Sequence, residues 1–208
     1  MSRLLVIGAS GGTGRCVLEL GIARGHAMTA LVRTPAKLDA ISDRAHVVAG
    51  DPTRAADVAA AARAHDAVIT ALGAPGTGPT SIHAEGMRAL VAALDGAAPR
   101  RAVMVSAAML FQDAGVLAAL LRNTVLRHVA RDSRQAEALL TESALDWTVV
   151  RPPRLTHGAR TGRWRVAEGH MPTGWAGALS RADLAECLLD EALRVAPSRR
   201  LLGVACVG

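Results

Sequence analysis

The apolar run Leu4-Leu5-Val6-Ile7 leads directly into Gly8-Ala9-Ser10-Gly11-Gly12-Thr13-Gly14, and a helical pattern follows over Gly14–Arg24. Few architectures tolerate this order of strand, glycine turn and helix. Gly8 permits the tight turn, Gly11 lets the backbone approach a pyrophosphate, and Gly14 lets the helix pack closely on the strand. The N–H groups of residues 10–13 and the positive end of the helix then form a cradle for phosphates. The spacing is GxxGxxG rather than GxGxxG, so its placement between strand and helix carries more weight than the pattern alone. The competing reading is a glycine-rich turn that binds nothing.

The rest of the chain continues the alternation. Strands are predicted at Leu4–Ile7, Ala27–Val32, His46–Ala49, Ala67–Leu72, Ala102–Val105 and Thr148–Val150. Most lack polar alternation, as expected of strands covered on both faces. Helices are predicted at Gly14–Arg24, Arg54–Ala64, Ser81–Leu94, Val116–Val129, Ser133–Ser143 and Arg181–Leu193, the last with Ser180 as N-cap and Asp183 in its first turn. The fold class is α/β: a Rossmann-like doubly wound parallel sheet with helices on both faces. With 208 residues the chain reads as one dinucleotide-binding domain, 1–208, with a substrate-side loop region around 152–177. That region and the Pro/Gly-rich segment 73–79 both follow strands, where open α/β sheets place their ligands.

The residue after the second strand selects the dinucleotide. An Asp or Glu there would hydrogen-bond a ribose 2′-hydroxyl, but the strand ends in Arg33, with Lys37 beyond and no carboxylate before Asp39. A guanidinium matches a 2′-phosphate in bidentate geometry, so NADP(H) is preferred, with NAD(H) possible. A solvated loop arginine is the plainer alternative.

Composition removes several other functions. The chain has no tyrosine, and Lys37 is its only lysine beside 23 arginines, so no Tyr–Lys pair can operate. The formal charge of +6 is spread along the chain and not clustered, which argues against nucleic acid and for a solvated basic surface. Cys16, Cys187 and Cys206 lack CxxC spacing, and the histidines lack ligand spacing, so neither a disulfide framework nor a metal site is expected. The four apolar residues after Arg3 are too few for a secretory leader, and no apolar run is long enough to span a membrane; the expectation is a cytoplasmic protein.

VIGASGGTG, ALVR, Gly50-Asp51 and SALDWTVVRPPRLTHGARTG together resemble the atypical short-chain dehydrogenase/reductases. The resemblance is to the NAD(P)H-binding, NmrA-like group that includes flavin reductase, or biliverdin-IXβ reductase, and it runs from Leu4 to about Gly162. It implies that the glycine loop holds the pyrophosphate and Arg33, assisted by Lys37, the 2′-phosphate. It also implies that Asp51 and Pro52 border the adenine and that Ala71, Leu72 and Gly73 line the adenosine ribose. Ser106 would face nicotinamide and substrate, and Pro152, Pro153, Arg154 and Leu155 would wall the nicotinamide. The Tyr-x-x-x-Lys positions of the superfamily fall on Val129 and Ser133, which cannot deliver a phenolic proton.

Ser106, Arg154 and His157 are therefore the candidate catalytic residues. Ser106 either polarises a substrate or caps its own strand end. Arg154 and His157 either bind an anionic substrate or supply a proton, or Arg154 simply pairs with Glu137 or with solvent. Met109, Leu110, Phe111, Trp164 and Trp175 either line a substrate pocket or belong to the core. Two functions are compatible with these residues: an NAD(P)H-dependent reductase of flavins, quinones or related planar acceptors, and a non-catalytic NADP(H)-binding redox sensor. The expected partner is a small planar electron acceptor, and the chain acts as a monomer or homodimer.

Overall fold

In the computed structural model, described over residues 1–112, 115–175 and 177–206, strands and helices alternate along most of the chain. The order is β1 (Arg3–Ile7), α1 (Gly12–Ala23), β2 (Ala27–Val32), a 3-10 helix (Pro35–Ile41), β3 (His46–Ala49), α2 (Ala55–Ala62), β4 (Ala67–Thr70), α3 (Ile82–Leu94) and β5 (Arg101–Val105). A 3-10 turn (Ala108–Leu110), α4 (Val116–Asn123), α5 (Arg127–Thr141), β6 (Asp146–Arg151), β7 (Arg154–Thr156), β8 (Trp164–Glu168), β9 (Ala178–Ser180), α6 (Arg181–Ala192) and β10 (Arg199–Cys206) follow. The main sheet runs β3-β2-β1-β4-β5-β6-β10-β8, all parallel except β8, which is antiparallel to β10. The first six strands have the doubly wound order, with its reversal between β1 and β4.

Strand periodicity divides the core. In β1, Leu4 and Val6 face a layer with Val17 and Leu18 of α1 and Leu184 and Leu188 of α6. Leu5 and Ile7 face the opposite layer, with Val58 of α2, Met87 and Leu90 of α3 and Leu140 of α5. Successive side chains point to opposite faces, so a strand covered on both sides needs apolar residues throughout.

Four expectations are corrected. Helix α1 starts at Gly12, two residues early, which puts Gly12 and Thr13 in its first turn. The helical break expected after Val129 lies instead at residues 124–126, and α5 runs unbroken through Asp132 and Ser133. The Asp132 carboxylate caps another helix: it accepts from the N–H groups of His83 (3.0 Å) and Ala84 (2.9 Å) at the start of α3. Third, β4 ends at Thr70; the Ala71 N–H still donates to the Ile7 carbonyl of β1 at 2.8 Å, and Leu72 lies beyond the strand. Fourth, segment 152–177 is not simply a loop: it holds β7, which pairs with β9, and β8, which pairs with β10. Residue 176 of that segment lies outside the described residues.

Candidate functional site

A cleft of about 460 Å³ opens at the carboxyl ends of β1, β2 and β4, where the strand order reverses. The glycine loop forms its floor. Gly8 has φ +81°, and a Cβ there would lie 2.6 Å from the Ala71 carbonyl oxygen, so both conformation and space require glycine. The Gly11 N–H closes the turn onto the Gly8 carbonyl at 3.0 Å. At Gly14 a Cβ would fall on that same carbonyl oxygen, so helix and turn pack backbone to backbone. Gly11, the N-cap of α1, offers no side chain to the first turn, and the N–H groups of Gly12, Thr13 and Gly14 have no preceding helical carbonyl. These groups and the positive end of α1 suit an anion.

Among the sequence-predicted residues, Gly8, Ser10, Gly11, Gly12, Thr13, Arg33, Pro52, Ala71, Leu72, Gly73 and Leu155 line the cleft. Gly14 lies beneath the loop as a packing residue. Arg33 is exposed at the end of β2, while Lys37 is exposed on the following 3-10 helix and outside the cleft lining. The Lys37 backbone is nevertheless tied to the loop, because Arg15 Nη2 donates to the Lys37 carbonyl at 2.7 Å. Asp51 also lies outside the lining. Its Oδ1 accepts from the Thr53 N–H (2.9 Å) and hydroxyl (2.7 Å). Those bonds, aided by the charges of Arg33 and Arg54 against a desolvation cost, hold the Asp51 carboxyl below its ordinary range.

At the other end the geometry divides the candidates. Ser106 follows β5; its N–H donates to the Val150 carbonyl (2.8 Å), but its Oγ is buried with no hydrogen-bond partner. Of the two readings of Ser106, the bond to its own strand end is not made among the described residues. Pro152 is buried, its carbonyl accepting from the Ala108 N–H at 2.8 Å, and neither it nor Pro153 lines the cleft. Strand alternation sends Leu155 into the cleft and leaves Arg154 exposed, and His157, just past β7, is also exposed. The partner of Glu137 is Arg151, not Arg154: Arg151 makes a two-pronged bond to Glu137 and stacks over Phe111, 4.5 Å from the ring centre. Phe111 and Trp175 belong to a small core with Ala108, Met171 and Ala205. Trp164 is half-buried, its ring N–H donating to Glu186 at 3.1 Å.

Leu31, Val32, Ala74, Ile82, Val105 and Arg181 also line the cleft, and the sequence did not single them out as site residues. Val105 was legible as the end of a strand. Arg181 was legible only as the first residue of the last helix. Its nearness to the glycine loop follows from α6 packing beside α1, which no local pattern encodes.

Known proteins share this fold. The structure of ChuY, an anaerobilin reductase from Escherichia coli O157:H7, superimposes with a TM-score of 0.79 at 24% identity, covering 98% of this chain and 97% of that one. SP1627 from Streptococcus pneumoniae TIGR4, a candidate NADH-flavin reductase, gives 0.81 at 23% identity over 99% and 100% of the two chains. The protein YwnB of Bacillus subtilis strain 168 is 29% identical over 198 residues, 89% of this chain and 90% of YwnB. The family model described as NAD(P)H-binding matches residues 8–194, and the chain belongs to that family.

Proposed function

We propose that the protein is an NADPH-dependent reductase of planar electron acceptors, of the atypical short-chain dehydrogenase/reductase type. The observation that carries this reading is Arg33, a cleft-lining guanidinium at the end of β2 where a carboxylate would favour NAD(H). The residues present fit the cofactor. Around Gly11 a Cβ would meet only the Gly8 carbonyl oxygen, at 3.3 Å, which leaves room for a diphosphate against the backbone. The first-turn N–H groups of α1 would hold that diphosphate, and Arg33 the 2′-phosphate. The orphaned Ser106 Oγ, next to cleft-lining Val105, would be satisfied by the nicotinamide amide or by a substrate oxygen.

NADPH supplies a hydride when bound. The chain holds no tyrosine to protonate a developing alkoxide, and exposed Arg154 and His157 stand outside the cleft lining. Acceptors whose reduced anion is delocalised, such as flavins, quinones and linear tetrapyrroles, can take their proton from water. The names of ChuY and SP1627 support that substrate class.

The test is a screen of flavins, quinones, tetrapyrroles and simple ketones with NADPH, followed by loss of the nicotinamide absorbance. Oxidation with a planar acceptor and none with ketones is expected. Robust reduction of a secondary ketone would contradict the proposal. Tight NADPH binding without turnover of any acceptor would instead favour the sensor.

A further inference from the structure

Beside the glycine loop the cleft holds a second arginine, Arg181, which makes no ion pair among the described residues. Arg181 opens α6 directly after the N-cap Ser180, whose hydroxyl accepts from the Asp183 N–H at 2.9 Å. Its side chain lies flat against the loop: a Cβ on Gly12 would meet Arg181 Nε at 2.8 Å and Cδ at 2.9 Å. Its Nη1 is buried and has no hydrogen-bond partner, and no ion pair among the described residues involves it. Other partly buried arginines do have partners: Arg101 meets Asp146 and Glu191, and Arg151 meets Glu137. A buried donor left unpaired is costly, more so when charged, and such a group calls for an acceptor from outside the chain.

We infer that Arg181 is a second, sequence-distant anion contact of the cleft, holding the dinucleotide diphosphate from beside Gly12 at the α1 N-terminus. This inference rests on the dinucleotide reading above. The placement discriminates between phosphates. Arg181 lies against Gly12, whereas Arg33 and Pro52 mark the end where the 2′-phosphate and adenine would sit. The diphosphate is common to NADPH and NADH, so Arg181 supplies affinity for both, and Arg33 supplies the choice between them. A guanidinium also suits the task better than an ammonium, because its planar fork can pair two diphosphate oxygens at once.

The test uses the full chain and three ligands: NADPH, NADH and adenosine 2′-monophosphate, which carries the 2′-phosphate but no diphosphate. Arg181→Gln keeps most of the stem and removes the charge; Arg181→Lys keeps the charge and loses the fork. For Arg181→Gln, NADPH and NADH should weaken together, by about ten- to a hundredfold, with adenosine 2′-monophosphate unchanged within about twofold. Arg181→Lys should recover part of that loss, and thermal melting of both variants should stay close to wild type. Unchanged dinucleotide affinity in Arg181→Gln would overturn the inference, as would a loss confined to NADPH or a parallel loss of the monophosphate. Wild-type protein that binds adenosine 2′-monophosphate but neither dinucleotide would overturn the cofactor reading itself.

Discussion

Arg33 follows β2 at the rim of the cleft; it is exposed and makes no ion pair among the described residues. A charge-assisted hydrogen bond is worth about 1.5–3 kcal/mol, so Arg33→Ala should weaken NADPH by that amount and leave NADH nearly unchanged in a binding titration. The glycines beneath it divide by function. Gly11 has φ −78° and little around it, so Gly11→Val should change stability by less than about 1 kcal/mol yet weaken both dinucleotides tenfold or more. At Gly14 a Cβ would collide with the Gly8 carbonyl, so Gly14→Val should lower the thermal midpoint as well as binding. Calorimetric melting beside a titration separates the two. The glycine motif was legible because each position answers a local constraint. Arg154 and His157 lie exposed outside the cleft lining, because strand alternation and the pairing of β7 with β9 decide which residue of that segment enters the cleft.

Among elements, the start of α6 joins the substrate-side segment to the core. The Asp183 carboxylate accepts from the Ser180 hydroxyl (2.8 Å), the Thr161 N–H (2.8 Å) and hydroxyl (2.9 Å), and the Gly162 N–H (2.9 Å). Burial alone would raise its pKa, but the Gly162 N–H, the Ser180 hydroxyl and the two Thr161 donors outweigh it and hold the carboxyl below its ordinary value. The folded state therefore binds this proton less readily than the unfolded chain. Its contribution is complete above about pH 5, declines below the unfolded pKa of about 3.9, and is lost as pH falls through the lower folded value. Asp183→Asn should flatten the fall in denaturation midpoint measured across that acid range; an unchanged slope would show that Asp183 does not carry it. The local cap, Ser180 with Asp183, was readable from spacing. The attachment of residues 161–162 was not, because it joins groups about twenty positions apart, and the same holds for Asp132 on the first turn of α3.

At the scale of the molecule, the arginine excess has two uses that composition does not distinguish. Some guanidiniums are solvated, as the spread of charge suggested, while others are internal ties. Arg101, 6% exposed at the start of β5, donates to the Glu191 carbonyl (3.1 and 2.6 Å), Asp146 (3.0 Å), Ser198 (2.8 Å) and Thr148 (3.3 Å). It thereby fastens β5, β6, α6 and the approach to β10 at the end of the sheet opposite the cleft. Arg101→Met should destabilise the fold by about 1–3 kcal/mol in denaturant titration, because the Glu191 carbonyl and Asp146 lose a buried donor while the Glu191 carboxylate keeps Arg200. Dinucleotide affinity should stay unchanged, since no cleft-lining residue is touched; a matching loss of affinity would refute the separation. The sequence by itself determined strands β1 to β6, most of the helices and the phosphate loop, because periodicity, capping and glycine geometry act over a few residues. Only the tertiary structure decided the antiparallel closure by β8, the helix that Asp132 caps, the partner of Glu137 and the arrival of Arg181 at the loop. Those contacts depend on which elements pack side by side, and that choice minimises exposed apolar surface and unpaired polar groups over the whole chain at once.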